Sequence, residues 1–379
     1  MRKLTAALLC AALLMCSGCM SFVERDYVSE SAHKPQTALP PEKKGPVTEV
    51  SDYVQLRAAI EELVKAHEEL GTIRISGYSD SIEDDVSSAC MDIANNTPFG
   101  AYAVYYITSS VSKIVSYYEA EISITYKKSA EQMESVVRVE DYDSLLAALK
   151  SALKDGNSSL AVLANVSFAS DGGIADMVDS LYYGDPSVSA VYPKTSVSVY
   201  PQTGTDKIFD VTFSYVYLRS SLLSMREKLL VAADEQAEAV KGLDARGKLC
   251  AFAECLAGVT AVEKDWSGGD SYARNTDDTA YGALVRGSAS SEGVAMAVKL
   301  LCDRTETECR TVLGRRGGTD CGWNIVCLDG VWYHVDVFRF ISDGLTGIFL
   351  KNDADMSEEY LWDTAKLPVC TGETEYLTV

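Results

Sequence analysis

Apolar residues recur at helical spacing after Asp52-Tyr53, and again after Asp141-Tyr142. Leu56, Ile60 and Val64 form one stripe, and Leu145, Leu149 and Leu153 form the same stripe about 89 residues later. Asp52 and Asp141 are suited to cap these helices, because a short carboxylate accepts from the free N–H groups of the first turn. Ile73 and Ile75, then Val162 and Ala164, mark a short strand in each copy. A second helix carries Val86, Ala89, Cys90 and Ile93, answered by Ile174, Met177, Val178 and Leu181. Pro98 and Pro186 follow these helices, and each copy closes on an alternating strand, Glu121–Tyr126 or Asp210–Tyr215. Strands over Ala101–Ile107, Ile114–Tyr118, Val188–Tyr192 and Ser196–Tyr200 are expected between them.

The pattern then changes. One helix is predicted over Leu222–Val240, and another around Cys250 and Cys255. A buried helix follows Gly293, with Val294, Ala297, Val298, Leu300 and Leu301 as its apolar positions. Two strand-like runs, Cys321–Leu328 and Val331–Val337, flank Asp329-Gly330. An Asp-Gly pair between apolar runs predicts a type I′ hairpin, since both central residues need positive φ. The fold class expected is α+β: tandem α+β repeats over residues 49–137 and 138–226, then a last domain over 227–379 with a helix packed on an antiparallel sheet.

The phrases of this last domain resemble the transglutaminase-like superfamily, whose fold is related to the papain-type cysteine proteases. The resemblance runs from about residue 244 to 370. It rests on Gly287-Ser-Ala-Ser-Ser291-Glu292-Gly293 opening the helix, Trp323-Asn324 in the first hairpin strand and Trp332-Tyr333-His334-Val335-Asp336 in the second. Phe349-Leu350, Asp353, Met356, Trp362-Asp363 and Pro368-Val369-Cys370 continue it. The resemblance implies a Cys nucleophile at the helix start, a His base in the first strand and an Asp in the second. Here Ser291 stands at the first position, Cys321 at the second and Asp336 at the third.

A thiolate attack on a carboxamide needs an imidazole to take and return a proton. A thiol at 321 is a poor proton shuttle, so a pseudoenzyme that binds a peptide or protein, or serves as a structural module, is the expectation. The alternative is an active cysteine-type hydrolase or cross-linker with relocated groups. His334 is the surrogate base in that case, because strand alternation sets it on the face of Asp336. Cys321 itself is a second candidate nucleophile. Arg315-Arg316 before the first strand is read as a solvated loop, with anion binding as the other possibility. His67 is placed on the first repeat's helix as a surface or packed residue, and Tyr102–Tyr106 and Tyr117–Tyr118 as ordinary sheet residues.

Composition narrows the setting. Net charge is −21, from 34 basic and 55 acidic residues, which leaves no basic face for nucleic acid. Arg2-Lys3, the apolar run Leu4–Met15 and Cys16-Ser17-Gly18-Cys19 look like a bacterial lipoprotein signal, with residues 1–18 removed and Cys19 lipidated. Residues 19–48, with Pro35, Pro40-Pro41 and Pro46, read as a tether. The expected place is therefore outside the cytoplasm, on the cell membrane, with an envelope peptide or protein as partner. Beyond the leader, Cys90, Cys250, Cys255, Cys302, Cys309, Cys321, Cys327 and Cys370 match no metal-ligand spacing, and neither metal nor cofactor is expected. Buried free thiols suit them, although export permits disulfides.

Overall fold

Each repeat folds into a four-stranded sheet with helices on one face. The computed structural model describes residues 45–78, 81–262, 274–365 and 367–379; Cys19, the leader and most of the tether lie outside them. In the first module β1 (Val47–Val50) pairs parallel with β2 (Leu70–Ile75), and β3 (Val104–Ile114) forms a long hairpin with β4 (Tyr117–Tyr126), giving the order β1-β2-β4-β3. The second module repeats this with β5 (Val137–Arg138), β6 (Ser159–Asn165), β7 (Lys194–Tyr200) and β8 (Asp206–Ser214), in the order β5-β6-β8-β7. The short parallel edge strands β1 and β5 are additions to the expected antiparallel meander.

The two first helices, Tyr53–Lys65 and Tyr142–Lys154, start where their caps dictate. Asp52 Oδ1 accepts from Gln55 N at 2.8 Å, and Asp141 Oδ1 from Ser144 N at 2.8 Å. The expected stripes are buried in both copies. Three expected strands are corrected. Pro98 sits at the first turn of a helix, Pro98–Ala103, capped by Thr97, because proline needs no N–H there. Ile114–Tyr118 is the tip of the β3–β4 hairpin. Val188–Tyr192 forms a loop in which Ser189 Oγ donates to Val191 O at 2.7 Å; Val188 buries in the second module's core, and Ala190, Val191 and Tyr192 against the C-terminal core. His67 lies beyond the first helix's end, at φ 54°, stacked on Tyr126 at 3.9 Å.

The second module's sheet is covered on both faces. Val162, Ala164, Phe209 and Val211 pack on its own helices. Ala161, Leu163 and Ile208, on the opposite face, join the first module's core, where the Pro98–Ala103 helix lies across them. Lys128 Nζ, at the end of the first module, also reaches Asp210 Oδ2 on that face at 2.7 Å. The same surface is used again further on. The segment after Pro186 contributes Ala190 and Val191, with Tyr182, to the C-terminal core. At the free end, the equivalents of Ala161, Leu163 and Ile208 are Thr72, Arg74 and Glu119, and Arg74 pairs with Glu119 at 3.3 Å. The first module is therefore a polar-faced cap.

Helix Arg219–Ala239 leads to helix Ala245–Val259 and the parallel pair β9 (Ala261–Val262) and β10 (Ser288–Ala289). The core helix Ser291–Arg304 then packs on a sheet of β11 (Cys309–Arg316), β12 (Thr319–Leu328), β13 (Val331–Val335) and β15 (Tyr360–Trp362), ordered β13-β12-β11-β15. The remaining strands β14 (Gly347–Leu350) and β16 (Glu375–Thr378) pair antiparallel beside it. Asp329 (φ 55°) and Gly330 (φ 81°) make the expected hairpin turn. Arg315 and Arg316 end a strand rather than a loop; the turn is Gly317-Gly318, both at positive φ. From Gly45 to Val379 the chain is one compact α+β unit.

Truncating the shared face should cost far more than truncating its free counterpart. Leu163→Ala and Ile208→Ala should each lose about 2–4 kcal/mol, and Glu119→Ala should stay within about 0.5 kcal/mol. Urea-unfolding midpoints of the three variants decide this; equal losses at Ile208 and Glu119 would refute the assignment of faces.

Candidate functional site

Alternation along β12 sorts its residues by face. Gly322, Asn324, Val326 and Leu328 turn toward the core helix. Asn324 Nδ2 donates to Ala295 O at 2.9 Å. A side chain at Gly322 would run into Glu292 Cα at 2.8 Å, so glycine is what lets the helix start approach this strand. Cys321, Trp323 and Ile325 turn the other way and pack with Val312, Met356, Tyr360 and Cys370.

Ser291, Cys321 and Asp336, the positions singled out by the sequence resemblance, are divided by this geometry. Ser291 is the first residue of the core helix, after Ser290, whose Oγ accepts from Gly293 N at 3.4 Å. Ser291 Oγ accepts the Gly322 N–H at 3.2 Å, so it meets the backbone of β12 beside residue 321. The Cys321 side chain points to the far face. Burial, followed by the negative charge of Asp336, pushes its thiol up to about 11. The proton therefore stays on sulfur at neutral pH.

Asp336 is not in a strand. β13 stops at Val335, and Asp336 caps the helix Val337–Ser342, with Oδ1 accepting from Arg339 N at 2.9 Å. Its other oxygen accepts from Tyr360 Oη at 2.7 Å. Burial raises this carboxyl above its ordinary range, and the two hydrogen bonds oppose that rise. Arg316 stands on the same side, its guanidinium 5.9 Å over the Tyr360 ring and Nη1 donating to Tyr360 Oη at 3.4 Å. A cavity of about 30 Å³ beside Asp336, lined also by Arg339, Phe340, Met356 and Tyr360, has room for about one water.

His334 is committed elsewhere. Trp323 Nε1 donates to its Nδ1 at 3.0 Å, and its Nε2 lies 2.8 Å from Asp353 Oδ1. An indole N–H can only donate. Nδ1 must then be the acceptor, and the ring proton sits on Nε2, donated to Asp353. Burial lowers the ring's pKa, and Asp353 partly offsets this. Trp362 closes the clamp with its ring centroid 4.7 Å from that of His334. His67, the other described histidine, places Nε2 3.0 Å from Lys128 O in the first module.

His334, Asp353 and Cys370 bring one nitrogen, one oxygen and one sulfur within 4.8 Å of one another. The donor set does not fit a metal ion. A ligating imidazole offers one nitrogen's lone pair and carries its proton on the other. Here the outer nitrogen already accepts from Trp323, so Nε2 cannot be freed without forming imidazolate. Burial and then Asp353 push the Cys370 thiol up to about 12, so this cluster is a hydrogen-bonded network.

Three contributors had no local signal. Tyr183, from the second module, donates to Glu292 Oε1 at 2.7 Å and so pins the residue next to Ser291. Tyr360 and Asp353 hold Asp336 and His334 across 24 and 19 residues of chain.

No protein-family model and no curated protein matches the chain. Among solved structures, one named "a TGase" aligns at 13% identity over 58% of this chain and 61% of its own, with a TM-score of 0.29. A "Putative Cysteine Protease" from Cytophaga hutchinsonii aligns at 10% identity over 50% of this chain and 76% of its own, with a TM-score of 0.25. A "putative protease" from Parabacteroides distasonis aligns at 6% identity over 59% and 46%, with a TM-score of 0.21. All three scores lie below 0.5, and the α+β architecture rests on the elements described above.

The protonated state of Cys321 has a direct readout. Its alkylation by iodoacetamide, followed by peptide mass spectrometry, should quicken about tenfold per pH unit from pH 7 to 10, because the thiolate fraction rises in that proportion below the pKa. Rapid labelling at pH 7 that does not vary with pH would show a stabilised thiolate and overturn this description.

Proposed function

We propose that this chain is an extracytoplasmic lipoprotein, held to the membrane by a lipid on Cys19, whose C-terminal part is a transglutaminase-like domain without the family's acyl-transfer chemistry. It binds an envelope peptide or protein, or serves as a structural module there. The reading rests on the proton inventory around Ser291 and Cys321. Acyl transfer needs a nucleophile that can be deprotonated and a base that returns the proton to the leaving group. Cys321 holds its proton, and its side chain lies on the sheet face away from the core helix. His334 spends both ring nitrogens on other partners, and His67 lies in the first module with Nε2 on Lys128 O. Asp336, which would orient an imidazole, is instead a helix cap held by Tyr360.

This arrangement favours a quiet scaffold over a relocated triad. A surrogate base at His334 would have to break the Trp323 hydrogen bond inside the core to present Nδ1, or give up Asp353 to present Nε2. Either change leaves a buried polar group unpaired, at a cost of about 1–3 kcal/mol. The anchoring half of the proposal draws on the sequence of the first 19 residues. Among the described residues no helix is long and apolar enough to cross a membrane.

Two measurements test the halves separately. Purified full-length protein should show no amidase, peptidase or amine-incorporation turnover above buffer, and Ser291→Ala and Cys321→Ala should leave that baseline unchanged. Turnover that either substitution abolishes would establish an active enzyme instead. For the anchor, the protein expressed in a bacterial host should partition into the detergent phase of a Triton X-114 extract, and Cys19→Ser should move it to the aqueous phase; detergent partition that survives Cys19→Ser would refute lipidation at that residue.

A further inference from the structure

Cys302 and Cys309 flank the turn that joins the core helix to β11. Cys302 is in the helix's last turn, and Cys309 is the first residue of the strand. Register fixes the direction of the second thiol. Cys309 pairs opposite Val326, one of the helix-facing residues of β12. Thr311, two residues on and therefore on the same face, places Oγ1 4.0 Å from Met296 Sδ on the core helix. Cys309 thus points at the helix that carries Cys302. Both side chains are buried in one core cluster, and the Cys302 thiol is among the neighbours that raise the Cys309 thiol.

The turn between them is tightly held. Thr305 N and Thr307 N both donate to Cys302 O, at 3.1 and 2.9 Å, and Thr305 Oγ1 donates to Leu301 O at 3.0 Å. Glu306 takes the left-handed conformation the reversal needs, at φ 56°. Cys327 N donates to Glu308 O at 2.9 Å, fixing the start of β11. The sheet separates this pair from Cys321, Cys327 and Cys370, while Cys250, on helix Ala245–Val259, packs on the border of the same cluster. Cys321 and Cys370 pack on its opposite face, and Cys327 shares the alternation of Cys321.

We propose that Cys302 and Cys309 are a disulfide-forming pair, a covalent staple between the C-terminal end of the core helix and the first residue of β11. In forming it the two thiols give up two protons and two electrons and the S–S bond is made. The electrons pass to an oxidised dithiol or glutathione disulfide, which is cleaved to two thiols through a mixed-disulfide intermediate. Both side chains are buried once the chain has folded, and burial holds the Cys309 sulfur in the thiol form, so the exchange belongs to folding, while the turn is closing and the thiols still meet solvent. The pairing is a property of the fold and does not depend on the function proposed above.

The test uses the whole chain. Protein reduced and unfolded is refolded in a mixture of reduced and oxidised glutathione, quenched in acid, alkylated and cut with trypsin. The peptides Leu300–Arg304 and Thr305–Arg310 should appear joined and lighter by two hydrogens than their sum, and reductant should separate them. Cys302→Ser should leave Cys309 alkylated and unjoined, and reducing the refolded wild-type protein should lower its thermal midpoint. Quantitative alkylation of both cysteines in refolded wild-type protein would overturn the proposal. So would a bond from either cysteine to any other.

Discussion

A β-sheet has two faces, and a short module owns enough helix to cover only one. That constraint organises this chain. The second module's sheet carries Ala161, Leu163 and Ile208 on the face its own helices do not reach. Left in water, such a face would give up the free energy of apolar burial, about 25 cal/mol per Å². The first module covers it with the helix after Pro98, and the second module offers its own post-proline segment to the C-terminal core. The series ends where the sequence turns polar, at Thr72, Arg74 and Glu119. A chain of such modules stays soluble only if its last face is polar.

The core helix feels this arrangement directly. Gly293 through Cys302 are all buried, Lys299 included, because the helix is enclosed by the sheet, by Arg219–Ala239 and by the second module. Lys299 keeps its charge balanced by Asp303, four residues on. The helix start is fixed at two points, Ser291 against the Gly322 N–H and Glu292 against Tyr183. The second module is thus part of the wall around the candidate site, and Ser291 sits in a rigid frame. Rigid placement serves catalysis only when the groups placed are chemically competent. Here the nearest thiol is turned away and keeps its proton.

Local features of the fold were readable from residue patterns because their causes are local. Asp52 and Asp141 cap within three residues, the helical stripes repeat every three or four, and Asp329-Gly330 bends the chain by itself. The errors have a different origin. Within Val188–Tyr192, Ala190, Val191 and Tyr192 are covered by a distant core, and apolar content alone cannot distinguish such a loop from a strand. His67 falls outside its helix because the chain takes positive φ one residue after the cap. At the site, Ser291, Cys321 and Asp336 could be located from phrases in the chain. Their states could not. Those depend on distant partners: Tyr360 bonds Asp336 from 24 residues away, Tyr183 bonds Glu292 beside Ser291 from 109, and Asp353 holds His334 from 19.

Residue 321 shows what a thiol, in place of an imidazole, asks of its surroundings. Its side chain packs beside Trp323 and Tyr360, where an imidazole would need hydrogen-bond partners for both nitrogens. Asp336 is the nearby carboxylate, and both its oxygens are already bonded, to the Arg339 N–H and to Tyr360 Oη. A thiol makes no such demand. It packs as a small apolar group, and burial simply keeps its proton in place. With a thiol at 321, Asp336 is free to act as a helix cap, and Tyr360 joins it to the strand that closes the sheet. Through these contacts Asp336 and Tyr360 tie the helix after β13 to β15, and Cys321 packs in the same cluster from β12.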